Sequence, residues 1–177
     1  LFKIIFLLFY MSNLDFLFKP KSVAIVGVSE DPIKLGSVLL SNLIKAGFEG
    51  DIYPVNPKYT ELMGLKVYPS IKDIPTDVDL VCIVVPPQYV KSVIEESGTK
   101  NVKGVVIITA GFKENGEEGI QLENEIKELA KKNNIRILGP NCLGAIIPAT
   151  KVNVSFAASK PKDGNIAFLS QSGAFCT

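Results

Sequence analysis

The order of apolar and helical segments is the feature that most restricts the fold of this chain. Short apolar runs, rich in β-branched residues and without the alternation of a half-exposed strand, are separated by segments of helical pattern. The predicted strands cover residues 23–28, 51–55, 79–85, 103–109 and 135–138. The predicted helices cover residues 36–46, 88–97 and 117–132, with a short helical turn at 70–74. Apolar strands joined by helices predict a parallel sheet covered on both faces, the Rossmann-like doubly wound α/β class.

The same pattern predicts the domain organisation. Residues 1–10 are apolar, too short to span a bilayer, and followed by no small-residue cleavage site. They are interpreted as a non-native or upstream leader rather than a membrane tether. Residues 11–150 are predicted to form the α/β domain, and residues 151–163 a linker. Residues 164–177 contain a predicted strand at 165–169 and a turn rich in serine and glycine, which indicates the truncated start of a second α/β domain.

Composition and charge argue against several classes of function. Hydrophobic residues make up 47% of the 177 residues, enough for a packed core. The net charge of +1 argues against binding to nucleic acid or a membrane surface, and a cytoplasmic location is expected. The chain has no histidine, so the commonest general base and metal ligand is missing, and no metal site is expected. Its three cysteines lack Cys-x-x-Cys spacing, which favours reduced thiols over a disulfide.

The loop after the first predicted strand, GVSEDPIKLG, is the first candidate ligand site. Ligands of open parallel sheets bind at the carboxyl ends of the strands, near the point where the winding direction reverses. The dinucleotide fingerprint GxGxxG keeps only its first glycine, because Ser29 and Pro32 stand where the later glycines are needed. The N–H groups at the helix start, Gly36 and Ser37, can still hold a pyrophosphate, and a plain βα turn is the structural alternative.

The loop after the second predicted strand narrows the choice of nucleotide. An NAD site carries an acidic residue here, which accepts hydrogen bonds from the ribose, whereas this chain has Val-Asn-Pro-Lys at 55–58. A lysine favours a phosphorylated ribose, so Lys58 indicates NADP or coenzyme A unless it is an ordinary surface lysine. The later loops, VVPP, TAGF and GPNCLG, are expected on the same edge of the sheet, where they would flank an adenine ring and a chain-like ligand.

These segments together resemble a known family. The motifs VAIVGVSEDPIKLG, YPVNP, IVVPP, ITAGF, GPNCLG and FLSQSGAF occur in this order between Met11 and Thr177. The chain is similar to the coenzyme A-binding domain of the NDP-forming acyl-CoA synthetases. Within that family it resembles most the α part of the ADP-forming acetyl-CoA synthetases, and more distantly the α subunit of succinyl-CoA synthetases.

The resemblance implies roles for particular residues. The first loop, with Gly27, Ser29, Lys34, Gly36 and Ser37, would contact the coenzyme A phosphates. The basic residue after the second strand, Lys58, would face the adenosine end, and the VPP segment, Val85, Pro86 and Pro87, would border the adenine. The ITAG segment, Ile108, Thr109, Ala110 and Gly111, would lie beside the pantetheine arm. The turn at Ser170, Gln171, Ser172 and Gly173 would bind phosphate at the start of a helix.

The resemblance also implies a reaction and partners. The family interconverts acetyl-CoA, ADP and phosphate with acetate, ATP and coenzyme A, through an acyl phosphate and a phosphohistidine. Its catalytic histidine belongs to a second, succinyl-CoA ligase-like (flavodoxin-like) domain beyond Thr177, so no catalytic residue is assigned and this chain alone is expected to be inactive. Mg²⁺ and ADP or ATP would bind an ATP-grasp subunit or fused domain. The alternatives are a stand-alone coenzyme A-binding regulator, the coenzyme A-binding part of a protein acetyltransferase, and an NADP-dependent oxidoreductase.

Overall fold

A five-stranded parallel sheet forms the centre of the computed structural model, which describes residues 14–158 and 161–173. The strands in these ranges are β1 (Ser22–Val26), β2 (Asp51–Val55), β3 (Glu61–Leu62), β4 (Leu65–Lys66), β5 (Leu80–Ile83), β6 (Gly104–Ile107), β7 (Arg136–Leu138), β8 (Gly144–Ile147) and β9 (Val152–Ser155). The sheet order is β2-β1-β5-β6-β7, and every pair is parallel. The winding direction therefore reverses between β1 and β5, which makes the carboxyl ends of these two strands the expected ligand position.

Helices cover both faces of this sheet. They are α1 (Asp15–Phe18), α2 (Leu35–Lys45), α3 (Pro87–Thr99) and α4 (Glu117–Lys132), with 3-10 turns at Ile71–Asp73, Lys113–Asn115 and Pro148–Thr150. The side chains of β1 alternate between two apolar clusters: Val23 and Ile25 pack towards α2, whereas Ala24 and Val26 pack towards α3 and α4. All four are buried, as a strand covered on both faces requires. The predicted doubly wound parallel α/β fold is confirmed.

The observed elements differ from the predicted ones mainly at their ends. The first strand was predicted to reach residue 28, but it ends at Val26 because Gly27 turns the chain with φ +103°. Helix α3 begins at Pro87, one residue earlier than predicted, since proline is well suited to the first helical position. The short helix α1 and the hairpin of β3 and β4 were not predicted.

The predicted linker at 151–163 is wrong for residues 152–155. These residues form β9, which pairs antiparallel with β8. All of its residues are buried, and Val152 and Val154 join the apolar cluster of α2. The hairpin is fixed from the helix side by Asn42, whose Nδ2 donates to the carbonyl oxygens of Ser155 (2.9 Å) and Ala157 (3.3 Å). The α/β unit therefore includes β9; the other predicted domain limits remain predictions.

The predicted strand at 165–169 does not form. Ile166, Phe168 and Leu169 are exposed, and none of the sheets built from the described residues includes this segment. A strand is stabilised by hydrogen bonds to a neighbouring strand, which these residues lack here. The helix predicted to follow Gly173 and the predicted leader at 1–10 lie outside the described residues, and the second domain remains a prediction.

Candidate functional site

Five loops meet at the carboxyl edge of the parallel sheet, and direct contacts join each of them to the next. The side chain of Asn56, after β2, donates from Nδ2 to Val28 O after β1 (2.6 Å). The backbone of Gly27 lies so close to Val84, after β5, that a β-carbon on Gly27 would be 2.9 Å from Val84 O. Thr109 after β6 reaches the β5 loop, and Asn141 after β7 donates its N–H to Thr109 O (3.0 Å). The predicted loop residues from Gly27 to Gly111 thus belong to one continuous edge.

Two glycines let helix α2 begin directly against the end of β1. Gly27 has φ +103°, a conformation that residues with a β-carbon rarely adopt. A β-carbon on Gly36 would lie 2.2 Å from Gly27 O, closer than any real contact. The first turn of α2 therefore packs on the backbone of the loop, and no side chain caps the helix start. Its N–H groups and the positive end of the helix dipole suit an anion.

The two serines of this loop hold the loop itself together. Ser29 and Ser37 are buried. The Ser37 hydroxyl donates to Ser29 O (2.5 Å), and the Ser29 Oγ accepts from the Asp31 N–H (3.2 Å). Both were predicted to contact the coenzyme A phosphates, and in this structure their hydroxyls bond to the protein backbone. Lys34 precedes the first residue of α2 and is exposed.

The loop after β2 presents Lys58 to solvent. Lys58 is exposed, and its backbone N–H donates to Asn56 Oδ1 (2.9 Å). Asn56 was part of the VNPK motif but was given no role from the sequence. Because its side chain bonds to the loops after β1 and β2 at the same time, it fixes one against the other.

The loops after β5 and β6 are also bonded to each other. The Thr109 hydroxyl donates to Val85 O (2.7 Å), so this hydroxyl crosslinks the two strand ends. Gly111 has φ +105°, and a β-carbon there would lie 2.8 Å from Pro87 Cγ. Ile108 is buried beneath the edge, whereas Pro86 and Ala110 are exposed on it.

Two glutamates that the sequence did not single out accept hydrogen bonds from backbone N–H groups of the loop after β6. Glu114 Oε1 accepts from the Gly111 N–H (2.6 Å). Burial opposes its ionisation, but hydrogen bonds from the backbone N–H groups around Gly111 outweigh it and lower the pKa of the carboxyl. Glu123 on α4 is buried and accepts from Lys127 Nζ (2.6 Å) and from the Lys113 N–H (3.3 Å). Burial raises its pKa, the bonds to Lys127 and Lys113 lower it, and the net pKa is lowered.

Replacing Glu123 with glutamine is expected to lower the free energy of unfolding at pH 7 by about 1 kcal/mol, because an amide cannot accept both hydrogen bonds. The folded-state pKa lies below the ordinary value of 4.5, so this stabilisation is fully present above pH 4.5 and is lost as the pH falls through the folded-state pKa. Urea denaturation at pH 7 and at successively lower pH should therefore show a difference that shrinks on acidification. Glu128→Gln, at an exposed position of the same helix, is the control; an equal effect of Glu123→Gln at every pH would contradict the prediction.

The loop after β7 closes the edge on the far side. A β-carbon on Gly139 would lie 2.4 Å from Ile107 O, which places this loop tightly against the end of β6. The Cys142 Sγ donates to the same carbonyl (3.3 Å), and burial raises the pKa of this thiol. Cys82 is buried in β5, where burial raises its thiol pKa further. Both are free cysteines held as thiols, which are poor nucleophiles; Cys176 lies outside the described residues.

The turn at residues 170–173 lies outside the sheet. The Ser172 N–H donates to Ser170 Oγ (3.0 Å), and the Ser170 hydroxyl donates to Ser172 O (2.9 Å). A β-carbon on Gly173 would lie 3.7 Å from the Leu143 Cβ, so this end of the turn is near the β7 loop. Gln171 and its neighbours are exposed. The phosphate-binding role of Ser170, Gln171, Ser172 and Gly173 remains a prediction.

Neither a metal site nor a membrane-spanning helix is found in the part of the chain that the structure describes. Residues 14–158 and 161–173 contain no grouping of three or more His, Cys, Asp or Glu side chains that could hold a metal ion. Within the same ranges, none of the helices combines the length and apolar character needed to cross a bilayer.

The fold and the joined loops define a parallel α/β domain of the nucleotide-binding kind, with its anion-attracting groups at the switch between β1 and β5. Comparison with known families matches residues 21–148 to the CoA binding domain. The chain belongs to this family, which assigns coenzyme A as its cofactor.

Longer proteins contain a similar domain. The chain is 50% identical over 161 residues to the α subunit of acetate–CoA ligase (ADP-forming) II of Pyrococcus furiosus, covering 91% of this chain and 35% of the subunit. It is also 50% identical over 162 residues to the acetate–CoA ligase (ADP-forming) of Methanocaldococcus jannaschii, covering 92% of this chain and 22% of that protein.

A solved structure agrees with these relatives. The dinucleotide forming acetyl-coenzyme A synthetase 1 of Ca. Korarchaeum cryptofilum, in complex with phosphate and ADP, matches with a TM-score of 0.88 and 45% identity. The match covers 92% of this chain and 34% of that one. The chain is homologous to part of the ADP-forming acetate–CoA ligases, and it spans about a fifth to a third of the length of these relatives.

Proposed function

We propose that this chain is the coenzyme A-binding part of an ADP-forming acyl-CoA synthetase. The observation that carries the proposal is the anion-attracting edge of a domain that belongs to the CoA binding domain family. Its exposed Lys34 and Lys58 and the uncapped start of α2 lie on loops joined at the switch point. Coenzyme A carries a pyrophosphate and a 3′-phosphate, and both kinds of group are attracted by lysines and by a helix N-terminus.

Each of these loops would contact a different part of the coenzyme A molecule. The start of α2 with Lys34 would hold the pyrophosphate through backbone N–H groups, with Ser29 and Ser37 keeping the loop in shape. Lys58 would attract the 3′-phosphate. The stiff segment Val85–Pro87 would flank the adenine, and the turn from Ile108 to Gly111 would line the path of the pantetheine arm.

The role of this chain in the reaction would be to bind and orient the thiol carrier. The relatives support the overall conversion of acetyl-CoA, ADP and phosphate into acetate, ATP and coenzyme A. This chain has no histidine, so the phosphoryl relay of such an enzyme needs residues that it does not contain. Mg²⁺ and ADP or ATP would bind an ATP-grasp subunit or fused domain.

The family match favours coenzyme A over NADP, the other phosphorylated ribose compatible with Lys58. It therefore weakens the oxidoreductase alternative. The relatives are named as acetate–CoA ligases, which favours a ligase over a stand-alone regulator or an acetyltransferase.

Isothermal titration calorimetry is expected to detect binding of coenzyme A and about fivefold weaker binding of 3′-dephospho-coenzyme A. The difference corresponds to about 1 kcal/mol for a solvent-exposed ion pair between Lys58 and the phosphate. Lys58→Gln should bring the two affinities together, and raising the salt concentration should do so in the wild type.

Lys131→Gln is the matched control, because it removes an exposed lysine from the last turn of α4, away from the carboxyl edge. It should leave both affinities unchanged. Equal affinity of the wild type for the two ligands would remove the role of Lys58. Preference for NADP over coenzyme A would refute the proposed function.

A further inference from the structure

Asn56 is the residue on which the position of Lys58 depends. It follows β2 directly, and its backbone N–H donates to Tyr68 O (2.9 Å). Its side chain uses both ends of the amide: Nδ2 donates to Val28 O (2.6 Å), and Oδ1 accepts from the Lys58 N–H (2.9 Å). A single half-buried side chain therefore fixes the Lys58 backbone against the loop after β1.

The two side-chain hydrogen bonds of Asn56, which form a bridge between Val28 and Lys58, need an amide at position 56. A carboxylate would accept from Lys58 but would place an oxygen against Val28 O, and an alanine would lose both bonds. The Lys58 ammonium has no hydrogen bond or ion pair to any of the residues that the structure describes. Its location therefore depends on the backbone that carries it, and that backbone is held by Asn56.

The loop on the other side of the bridge is the one that leads into α2. Val28 is fully buried and is followed by Ser29, whose carbonyl accepts from the Ser37 hydroxyl in the first turn of the helix. Asn56 thus connects the lysine after β2 with the loop that presents the N-terminus of α2. The Asn56 side chain thus adds a direct link between the Lys58 backbone and this loop to the backbone hydrogen bond from the Gly27 N–H to Val55 O (3.0 Å).

We propose that Asn56 is a positioning residue that sets the selectivity of the site for the 3′-phosphate of coenzyme A. The inference rests on the proposed function, because it assumes that Lys58 meets this phosphate. Asn56 acts through Lys58 and not through contact with the ligand. Its effect should therefore disappear once the lysine charge is gone.

A double-mutant cycle of Asn56→Ala and Lys58→Gln tests this dependence. The quantity measured is the ratio of the affinities for coenzyme A and 3′-dephospho-coenzyme A by calorimetry. Asn56→Ala should reduce the ratio several-fold, to within about twofold of the Lys58→Gln value, and the double variant should show no further loss. A merely structural residue would weaken both ligands equally and leave the ratio unchanged.

Asn42→Ala is the matched control, because it removes another bridging amide, between α2 and the β8–β9 hairpin. It should leave the ratio as in the wild type. Should Asn56→Ala fail to fold, hydrogen exchange of the wild-type chain decides the matter: the Lys58 amide should be protected at least about tenfold relative to an unstructured peptide. Exchange at the rate of an unstructured peptide would overturn the proposal.

The results of these experiments distinguish a failure of the role of Asn56 from a failure of the proposed function. A wild type that prefers coenzyme A, together with an Asn56→Ala variant that keeps the same ratio, would overturn the role of Asn56 and leave the proposed function intact. A wild type that binds no coenzyme A would refute the proposed function itself. Additive losses of the ratio in the double variant would overturn the statement that Asn56 acts through Lys58.

Discussion

Gly36→Ala is expected to lower the free energy of unfolding by about 3 kcal/mol and to abolish coenzyme A binding, because overpacking against fixed backbone is costly. The added β-carbon would lie 2.2 Å from Gly27 O and 2.9 Å from Val28 Cα. Neither atom can move away easily, since Gly27 itself packs against Val84 O. The start of α2 must therefore shift away from β1, and the anion-attracting N–H groups shift with it. Urea denaturation and calorimetric titration measure the two effects.

The control for this prediction is Gly164→Ala. Gly164 is exposed, and no heavy atom lies within 4 Å of the position that a β-carbon would take there. The same chemical change at this position should alter the free energy of unfolding by less than about 0.5 kcal/mol. A Gly36→Ala variant that unfolds and binds coenzyme A like the wild type would show that the loop can yield, which would contradict the close packing of helix and strand.

The positions of the site loops could be predicted from the sequence, whereas the hydrogen-bond partners of individual side chains could not. Gly27 and Gly36 are recognisable because glycines between a strand and a helix are typical of the tight turn and close packing of a nucleotide-binding βα unit. Ser29 and Ser37 look like ligand-binding hydroxyls in the sequence, but each is buried and bonded within the loop. Asn56 lay inside a recognised motif, yet its partner Val28 is 28 residues away and only the fold reveals it.

The central sheet was predictable because each of its strands can be recognised from its own short segment of sequence. A run such as LVCI in β5, buried on both faces and followed by prolines, needs no partner to be recognised. The hairpin of β8 and β9 differs, since Val152 and Val154 alternate with Asn153 and Ser155, which is typical of a strand with one exposed face, whereas all four residues of β9 are buried. In the structure both polar side chains are buried, and the Ser155 hydroxyl donates a hydrogen bond to Asn153 Oδ1 (2.7 Å). The deciding contact, Asn42 with Ser155, spans 113 residues.

Val154→Asp should show how fully this hairpin belongs to the domain. Val154 is completely buried and belongs to the apolar cluster that includes residues of α2 and β1. Burying an unpaired charge there is expected to cost about 4 kcal/mol or more, a large part of the stability of a domain of this size. The measured result should be loss of the cooperative thermal transition or a marked drop in its midpoint, together with loss of coenzyme A binding.

Ala158→Asp places the same carboxylate four residues further along, within the segment that the sequence predicts to be a linker. Ala158 is exposed, so the charge stays in water and the melting temperature should stay within the range of ordinary surface substitutions. If residues 152–155 were a detachable linker, the two variants would melt alike and both would bind coenzyme A. A large difference between them instead requires β9 to be packed on α2, the helix whose first turn forms part of the proposed ligand site. The stability of the hairpin and the binding of coenzyme A would then be coupled through α2, which Asn42 joins to the hairpin and whose first turn lies at the proposed ligand site.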